Sequence, residues 1–148
     1  MKWNAKFFSE LSTRELYEIV RARTEIFLME QRIICRDFDG VDYDALHCFL
    51  EQDGSIQAYL RAYPVGKGQV KIGRVLSNPH GIGLGTRLMR ESLPAIRKYF
   101  EGGAVILHAQ TRAKGFYEKL GFTVTSDEYL EEGVPHVTMF LAPESELS

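Results

Sequence analysis

"NPHGIGLGTRLM", residues 78–89, stands between a strand-like run, "QVKIGRVL" (69–76), and an apolar-periodic segment, "LGTRLMRESLPAIRKYF" (84–100). Glycines at such a handover let backbone N–H groups converge with no Cβ in the way, and the helix start adds about half a positive charge. A turn of this kind suits phosphate or pyrophosphate; the plainer reading is a tight turn with no ligand. Two phosphate loops fail against the letters. A Walker A loop needs Gly-Lys-Ser/Thr, which does not follow here. A GxGxxG dinucleotide fingerprint meets Thr86 at its third position when started at Gly81, and Leu88 when started at Gly83. The turn therefore points to some other phosphate-bearing ligand.

Outward from the turn, the segment after it carries Leu84, Leu88, Ile96 and Phe100 at helical spacing, with Pro94 inside expected to bend or split the helix. "AVILHAQ" (104–110) is an apolar run suited to a strand covered on both faces. "RAKGFYEKL" (112–120) reads as a short helix that Gly121 ends in a left-handed cap, and "FTVTS" (122–126) and "HVTMFLA" (136–142) as two closing strands around a turn-rich "DEYLEEGVP". Upstream, "NAKFF" (4–8) reads as a first strand. "SELSTRELYEIVRARTEIFLMEQ" (9–31) reads as a first helix, with Ser12 and Glu15 at capping-box spacing and Leu16, Val20 and Phe27 near the helical period. "HCFLEQDGSIQAYLRAY" (47–63) reads as a hairpin turning at Asp53-Gly54, followed by a second turn at "VGKG" (65–68). The order implies an α/β (α+β) fold, a mixed sheet with helices packed on its faces, in a single domain over 1–148.

The composition sets further bounds. Hydrophobic residues are 45% of 148 and charged ones 26%, the mix of a compact globular domain. With 18 basic and 20 acidic side chains the formal charge is -2, so no global field draws the chain to nucleic acid or anionic membrane. No window approaches the roughly 20 apolar residues of a membrane span, and the expected compartment is the cytosol. Cys35 and Cys48 form no CxxC pair, and a disulfide is not expected. The Asp-rich connector "RIICRDFDGVDYDAL" (32–46) fails as a calcium loop: started at Asp37, it puts Asp42 where Gly belongs and Cys48 where Glu belongs. Its acids, like the "RARTE" basic patch (21–25), are read as solvated faces or acceptor-cleft lining, the former preferred. His47, His80, His108 and His136 show no metal-ligand spacing, so no metal is expected.

"HGIGLGTRLM" (80–89) resembles the acyl-CoA-binding segment of the GNAT superfamily of N-acetyltransferases, with His80 in the Arg/Gln place and Gly83 and Gly85 as the two small residues. "AQTRAKGFYEKLGF" (109–122) resembles the family's other recurrent element, after its fifth strand. "RTEIFLMEQ", "DFDGVD", "IGRV" and "EYLEEGVPHVTM" are similar to one branch, the ElaA-like acetyltransferases, so the likeness spans nearly the whole chain. It departs at His80 and in the span between "IGRV" and the glycines, which is shorter than usual. The resemblance implies the GNAT fold, a mixed, mostly antiparallel twisted sheet of about six or seven strands flanked by helices. It implies acetyl transfer from acetyl-CoA to a primary amine of a small molecule or peptide, by direct attack in a ternary complex. A nonenzymatic acyl-CoA sensor is the alternative, and a nucleotide-binding regulatory domain a third.

By that resemblance His80, Gly81, Ile82, Gly83, Leu84, Gly85 and Thr86 cradle the CoA pyrophosphate. The pantetheine arm runs beside Leu76 and Ser77, where a backbone N–H near Leu76 polarises the thioester carbonyl. Tyr117 matches the Tyr that protonates the leaving thiolate; a phenol of pKa about 10 can donate at neutral pH. Gln110 stands where a CoA-facing Asn is common, and either bonds the pantetheine amides or closes a loop. For the general base His136, in "GVPH", matches the ElaA-like pattern, with Glu30, His47 and His108 as competitors. The C-terminal strand edges could pair two subunits into a homodimer.

Overall fold

The computed structural model describes residues 1–66 and 68–143. Lys67, within the turn expected at 65–68, and the last five residues of the expected domain lie outside the described residues. The flanking Gly66 and Gly68 both take left-handed conformations.

Strand β1 (Lys2–Phe7) leads through a single 3-10 turn to helix α1 (Thr13–Arg23). The expected capping box is present: Ser12 Oγ accepts from the Glu15 amide at 3.0 Å, and the Ser12 amide donates to the Glu15 carboxylate at 2.8 Å. From Arg23 the helix widens into a π turn, Thr24–Glu30, closed by the Gln31 amide on the Ile26 carbonyl at 2.9 Å. The buried face of this unit is Ile19, Arg23 and Ile26; Ile19 and Ile26 stand one position before the expected Val20 and Phe27, which like Leu16 are only half-buried. An arginine at its centre explains why apolar periodicity alone misplaced that face.

Strands β2 (Leu46–Gln52) and β3 (Ser55–Val65) form the expected hairpin, with Asp53 and Gly54 both left-handed at its tip. Strand β4 (Gln69–Ser77) follows, then α2 (Leu84–Tyr99), β5 (Ala104–Gln110) and α3 (Lys114–Glu118). Pro94 does not split α2, which runs unbroken with Leu84, Leu88, Met89, Ser92 and Ile96 buried. Gly121 ends α3 as expected, with the Gly121 amide on the Glu118 carbonyl and the Phe122 amide on that of Tyr117, a Schellman pair. The closing strands are β6 (Thr123–Val124) and β8 (Val134–Leu141). Between them, where turn residues suggested no regular structure, β7 (Tyr129–Glu131) pairs with β8 across a Glu132-Gly133 turn.

The sheet has eight strands, one or two more than expected, in the order β1-β2-β3-β4-β5-β8-β6, with β7 on the same edge of β8 as β6. Among these pairs only β4–β5 is parallel. One face packs on α2 and α3 through Leu60, Ile72, Leu88, Leu107 and Met139. The other carries α1 over Phe49, Tyr59 and Leu76.

Asp37, Asp39 and Asp42 of the connector and Arg23 of "RARTE" form an ion-paired layer rather than a solvated face, and Asp37 lines the cleft described below, whereas Arg21 and Asp44 stay exposed. Arg23 and Arg61 are each 2% exposed. Arg23 donates to Asp42 Oδ1 at 2.8 Å and to the Asp37 carbonyl at 2.8 Å. Arg61 donates to both Asp39 oxygens at 2.9 and 2.7 Å and to Asp42 at 3.1 Å. Arg74 donates to Asp37 at 2.9 Å. Three carboxylates thus stitch α1, β3 and β4 to the connector. Asp42 is driven up by burial, but its bonds to Arg23 and Arg61 outweigh this and hold it low. His47 belongs to the same layer: its Nε2 donates to the Asp42 carbonyl and its Nδ1 accepts from the Tyr59 hydroxyl. Burial lowers its pKa, and it is not among the residues that line the cleft described below.

Removing one partner of a buried ionic network leaves a charge without its counterion, so Asp42→Ala should lower the unfolding free energy by about 3–5 kcal/mol in a urea titration. The Arg61 fork holds the Asp39 carboxyl at about 2 against its ordinary 3.8. The stabilisation is complete above the ordinary value and disappears as the pH falls toward 2. Stability should therefore fall more steeply from pH 4 to 2 in the native protein than in Asp39→Asn; parallel profiles would contradict this.

Candidate active site

β4 and β5 pair only from Gln69–Ala104 to Ile72–Leu107. Beyond that point β4 stays with β3 and β5 stays with β8, so the two central strands part. The cause is an extra residue in β4: its register with β3 shifts between Tyr59 and Arg61, and Arg74 takes a left-handed φ of 54°. That conformation disfavours a residue with a Cβ by about 1–2 kcal/mol, and the bonds of Arg74 to Asp37 offset it. A cleft of about 720 Å³ fills the gap.

Side-chain alternation shows that the cleft passes through the sheet. Ile72, Leu107 and Ala109 join the core under α2 and α3, whereas Lys71, Gly73, His108 and Gln110 face the α1 side. The cleft touches residues of both sets, with Gly85, Phe116 and Tyr117 on one side and Tyr63, Lys71, His108 and Glu131 on the other.

The glycine turn forms one end. Gly81 (φ 77°) and Gly83 (φ 82°) are left-handed, and a Cβ on either would meet nothing within 4 Å. Gly83 is the N-cap of α2 with no side-chain cap, and the first helical bond runs from the Arg87 amide to its carbonyl. The amides of Leu84, Gly85 and Thr86 thus have no intrahelical partner, and all three residues line the cleft. Gly85 has a different role: a Cβ there would stand 3.3 Å from Phe116 Cζ, so its absence lets α3 pack on the first turn of α2. Leu76, Ser77, His80, Gly81 and Gly83 also line the cleft. Ile82, expected among the cradle residues, does not; its side chain is 63% exposed and points away. Only its main chain could take part.

His80 Nε2 meets Glu30 Oε1 at 2.7 Å, so the residue that replaces the usual Arg or Gln ties the turn to the end of the π turn. The next residue, Gln31, accepts from Gln110 Nε2 at 2.9 Å, and Gln110 Oε1 accepts from Arg112 at 2.8 Å. Residues 30 and 31 thereby reach both arms of the cleft. Gln110 closes a contact in this state, and Glu30 is engaged rather than free.

Tyr117 is buried at the cleft wall, edge-on to Phe116 and Phe122. Phe116 is half-buried across Gly85 against the same core, and Tyr117 is the more deeply buried ring. Burial pushes the Tyr117 phenol up, so it keeps its proton at neutral pH, and among the described residues its hydroxyl has no hydrogen-bond partner.

On the α1 side a cluster gathers around β7 and β8. His136 Nδ1 lies 2.7 Å from the Val134 carbonyl. A carbonyl only accepts, so Nδ1 carries the proton and the neutral ring presents a lone pair at Nε2, 3.6 Å from Glu131 Oε2. The other carboxylate oxygen, Oε1, accepts from His108 Nδ1 at 2.8 Å. Tyr129 stacks on His136, meets His108 edge-on, and is pinned by Thr138 at 2.9 Å. Sequence reading singled out both histidines but missed Glu131 and Tyr129. The available signal was their i, i+2 spacing before Glu132-Gly133, which a hairpin turns toward one face.

An uncapped helix start with two left-handed glycines, beside a parted pair of central strands, narrows the choice of family. The model of the acetyltransferase (GNAT) domain family matches residues 27–142. The chain belongs to the GNAT acetyltransferase family. Within this GNAT family it is similar to the Escherichia coli protein ElaA, 30% identical over 94% of this chain and 95% of that protein. The ElaA crystal structure matches at a TM-score of 0.89 over 95% of this chain and 99% of that one. An acyl-CoA N-acyltransferase from Pseudomonas aeruginosa is 36% identical, with a TM-score of 0.90 over 96% and 100% of the two chains. PaiA N-acetyltransferase from Thermoplasma acidophilum, solved with coenzyme A, shares the fold at 15% identity and a TM-score of 0.68, over 96% and 99%. The protein is thus a GNAT N-acetyltransferase of the ElaA-like branch.

Cys35 is exposed and lines the cleft, whereas Cys48 is buried, its thiol pushed up to about 12 by desolvation. A water-soluble disulfide reagent should therefore titrate one thiol in the native GNAT protein and both after unfolding. Two reactive thiols in the native state would contradict the packing of β2.

Proposed function

We propose that this protein transfers the acetyl group of acetyl-CoA directly to a primary amine, with both substrates bound at once in the cytosol. The single observation that carries the reading is the continuity of the cleft from the glycine turn through the sheet to His136. A donor and an acceptor can enter from opposite faces and meet between β4 and β5.

The residues fit the donor. Open space at Gly81 and Gly83 and three uncapped amides at the start of α2 suit the pyrophosphate. The parted edge of β4 at Leu76 and Ser77 leaves main-chain groups to bond the pantetheine arm, and an N–H there polarises the thioester oxygen as charge develops. Bound acetyl-CoA supplies an activated acyl carbon and a thiolate leaving group. His136 Nε2 takes the proton from the acceptor ammonium or the attacking amine. The new C–N bond forms as the C–S bond breaks, and Tyr117 gives its proton to the departing sulfur. Tyr117 carries its proton at neutral pH, as this role requires, although burial makes the phenol a weaker acid. Gln110, released from Gln31, has the amide chemistry to bond the pantetheine.

The test is a turnover screen with acetyl-CoA against polyamines, amino acids, aminoglycosides and peptide amines, read as free thiol release. With the acceptor that responds, Tyr117→Phe should reduce kcat by about 100- to 10,000-fold and leave CoA affinity within about twofold of the native value. Full turnover in Tyr117→Phe would remove the acid assignment; thiol release with none of the amines would favour a sensor that binds acyl-CoA without turnover.

A further inference from the structure

We infer that Glu131 is a positioning residue, held by His108, whose carboxylate sets the proton affinity of His136. The inference rests on the reading of His136 as the base.

The geometry leaves the two oxygens of Glu131 different tasks. Oε1 is fixed by the His108 Nδ1–H at 2.8 Å, and because a carboxylate only accepts, His108 donates there. Oε2 is thereby directed toward His136 Nε2 at 3.6 Å, too long for a hydrogen bond and short enough for strong attraction once that nitrogen is charged. The Val134 carbonyl fixes the ring from the other end, so the imidazole cannot turn its protonated nitrogen toward Glu131. The neutral ring held this way keeps its lone pair at Nε2, and a proton taken there would stand beside a carboxylate. Register reinforces this arrangement: Tyr129 pairs with His136 and Glu131 with Val134, so the hairpin that carries the carboxylate also carries the carbonyl.

The polar and titratable groups that pair with His136 or share its cleft come from several elements. Glu131 and Tyr129 lie on β7, Glu132 in the hairpin, His108 and Gln110 on β5, and Arg112 just after β5. Of these only Glu131 has a carboxylate within 4 Å of the His136 ring nitrogens. It is 42% exposed, so its effect is reduced by solvent but not abolished.

The inference differs from a structural role for Glu131 in a measurable way. Histidine ring resonances followed by NMR across pH 5 to 9 give the His136 midpoint without any substrate. In Glu131→Gln that midpoint should move down by about one unit, because loss of the negative charge disfavours the imidazolium. Glu131→Asp should return part of the shift, and His108→Ala, which frees the carboxylate, should shift the midpoint less than Glu131→Gln. The acidic limb of kcat/KM should follow the midpoint in each variant, while KM for acetyl-CoA stays unchanged. An unmoved His136 midpoint in a folded Glu131→Gln protein overturns the inference and leaves the base reading standing. Full turnover with an unchanged limb in His136→Gln overturns the base reading, and the role of Glu131 with it.

Discussion

The structure depends on a single strained residue and its counterion. Arg74 takes a left-handed backbone inside β4, and Asp37 bonds its side chain at 2.9 Å. The extra residue ends the pairing of β4 with β5 at Ile72–Leu107. Without it the two strands would continue side by side, and the sheet would have no opening. The buried arginines secure the other end of this lever: Arg23 holds the same aspartate from α1, and Arg61 holds Asp39 and Asp42 from β3. A connector that reads as a polar loop is thus the clamp that keeps the central strands apart.

The consequence for chemistry is a passage with two unlike ends. One end is main chain: glycine amides at a helix start, whose attraction for phosphate is independent of pH. The other is side chain: two imidazoles gathered around the Glu131 carboxylate. The imidazoles and the carboxylate thus lie on the face of the sheet away from the glycine turn. The contacts from Glu30 to His80 and from Gln31 to Gln110 join both arms at the end of the π turn. A π turn at a functional cleft fits the general tendency of such insertions to re-aim side chains there.

Much of this was present in the letters because it is local. The capping box at Ser12, the Asp53-Gly54 turn, the Gly121 cap and the strand-turn-helix at 69–100 each depend on neighbours a few residues away. The resemblance carried by residues 80–89 and 109–122 added the family, the glycine end of the cleft and the wall at Gln110 and Tyr117. What sequence could not yield is what depends on distant partners. Arg23 sits in the buried face of α1 only because Asp37 and Asp42 come to meet it, and no helical period predicts an arginine there. Glu131 acquires a role only when the β7–β8 hairpin sets it against His108, 23 positions earlier in the chain. Ile82 is expected to act through its main-chain amide, and its exposed side chain stands between two left-handed glycines, Gly81 and Gly83.

The central claim is that the opening between β4 and β5 receives coenzyme A by its main chain. Amide resonances of the ¹⁵N-labelled protein, followed while coenzyme A is titrated in, test it most directly. The account predicts the largest shifts at Leu76 and across Gly81–Thr86, with smaller ones at Gln110 and Tyr117. Unmoved resonances at those positions up to millimolar coenzyme A, or the largest changes on the far side of α2, would contradict it.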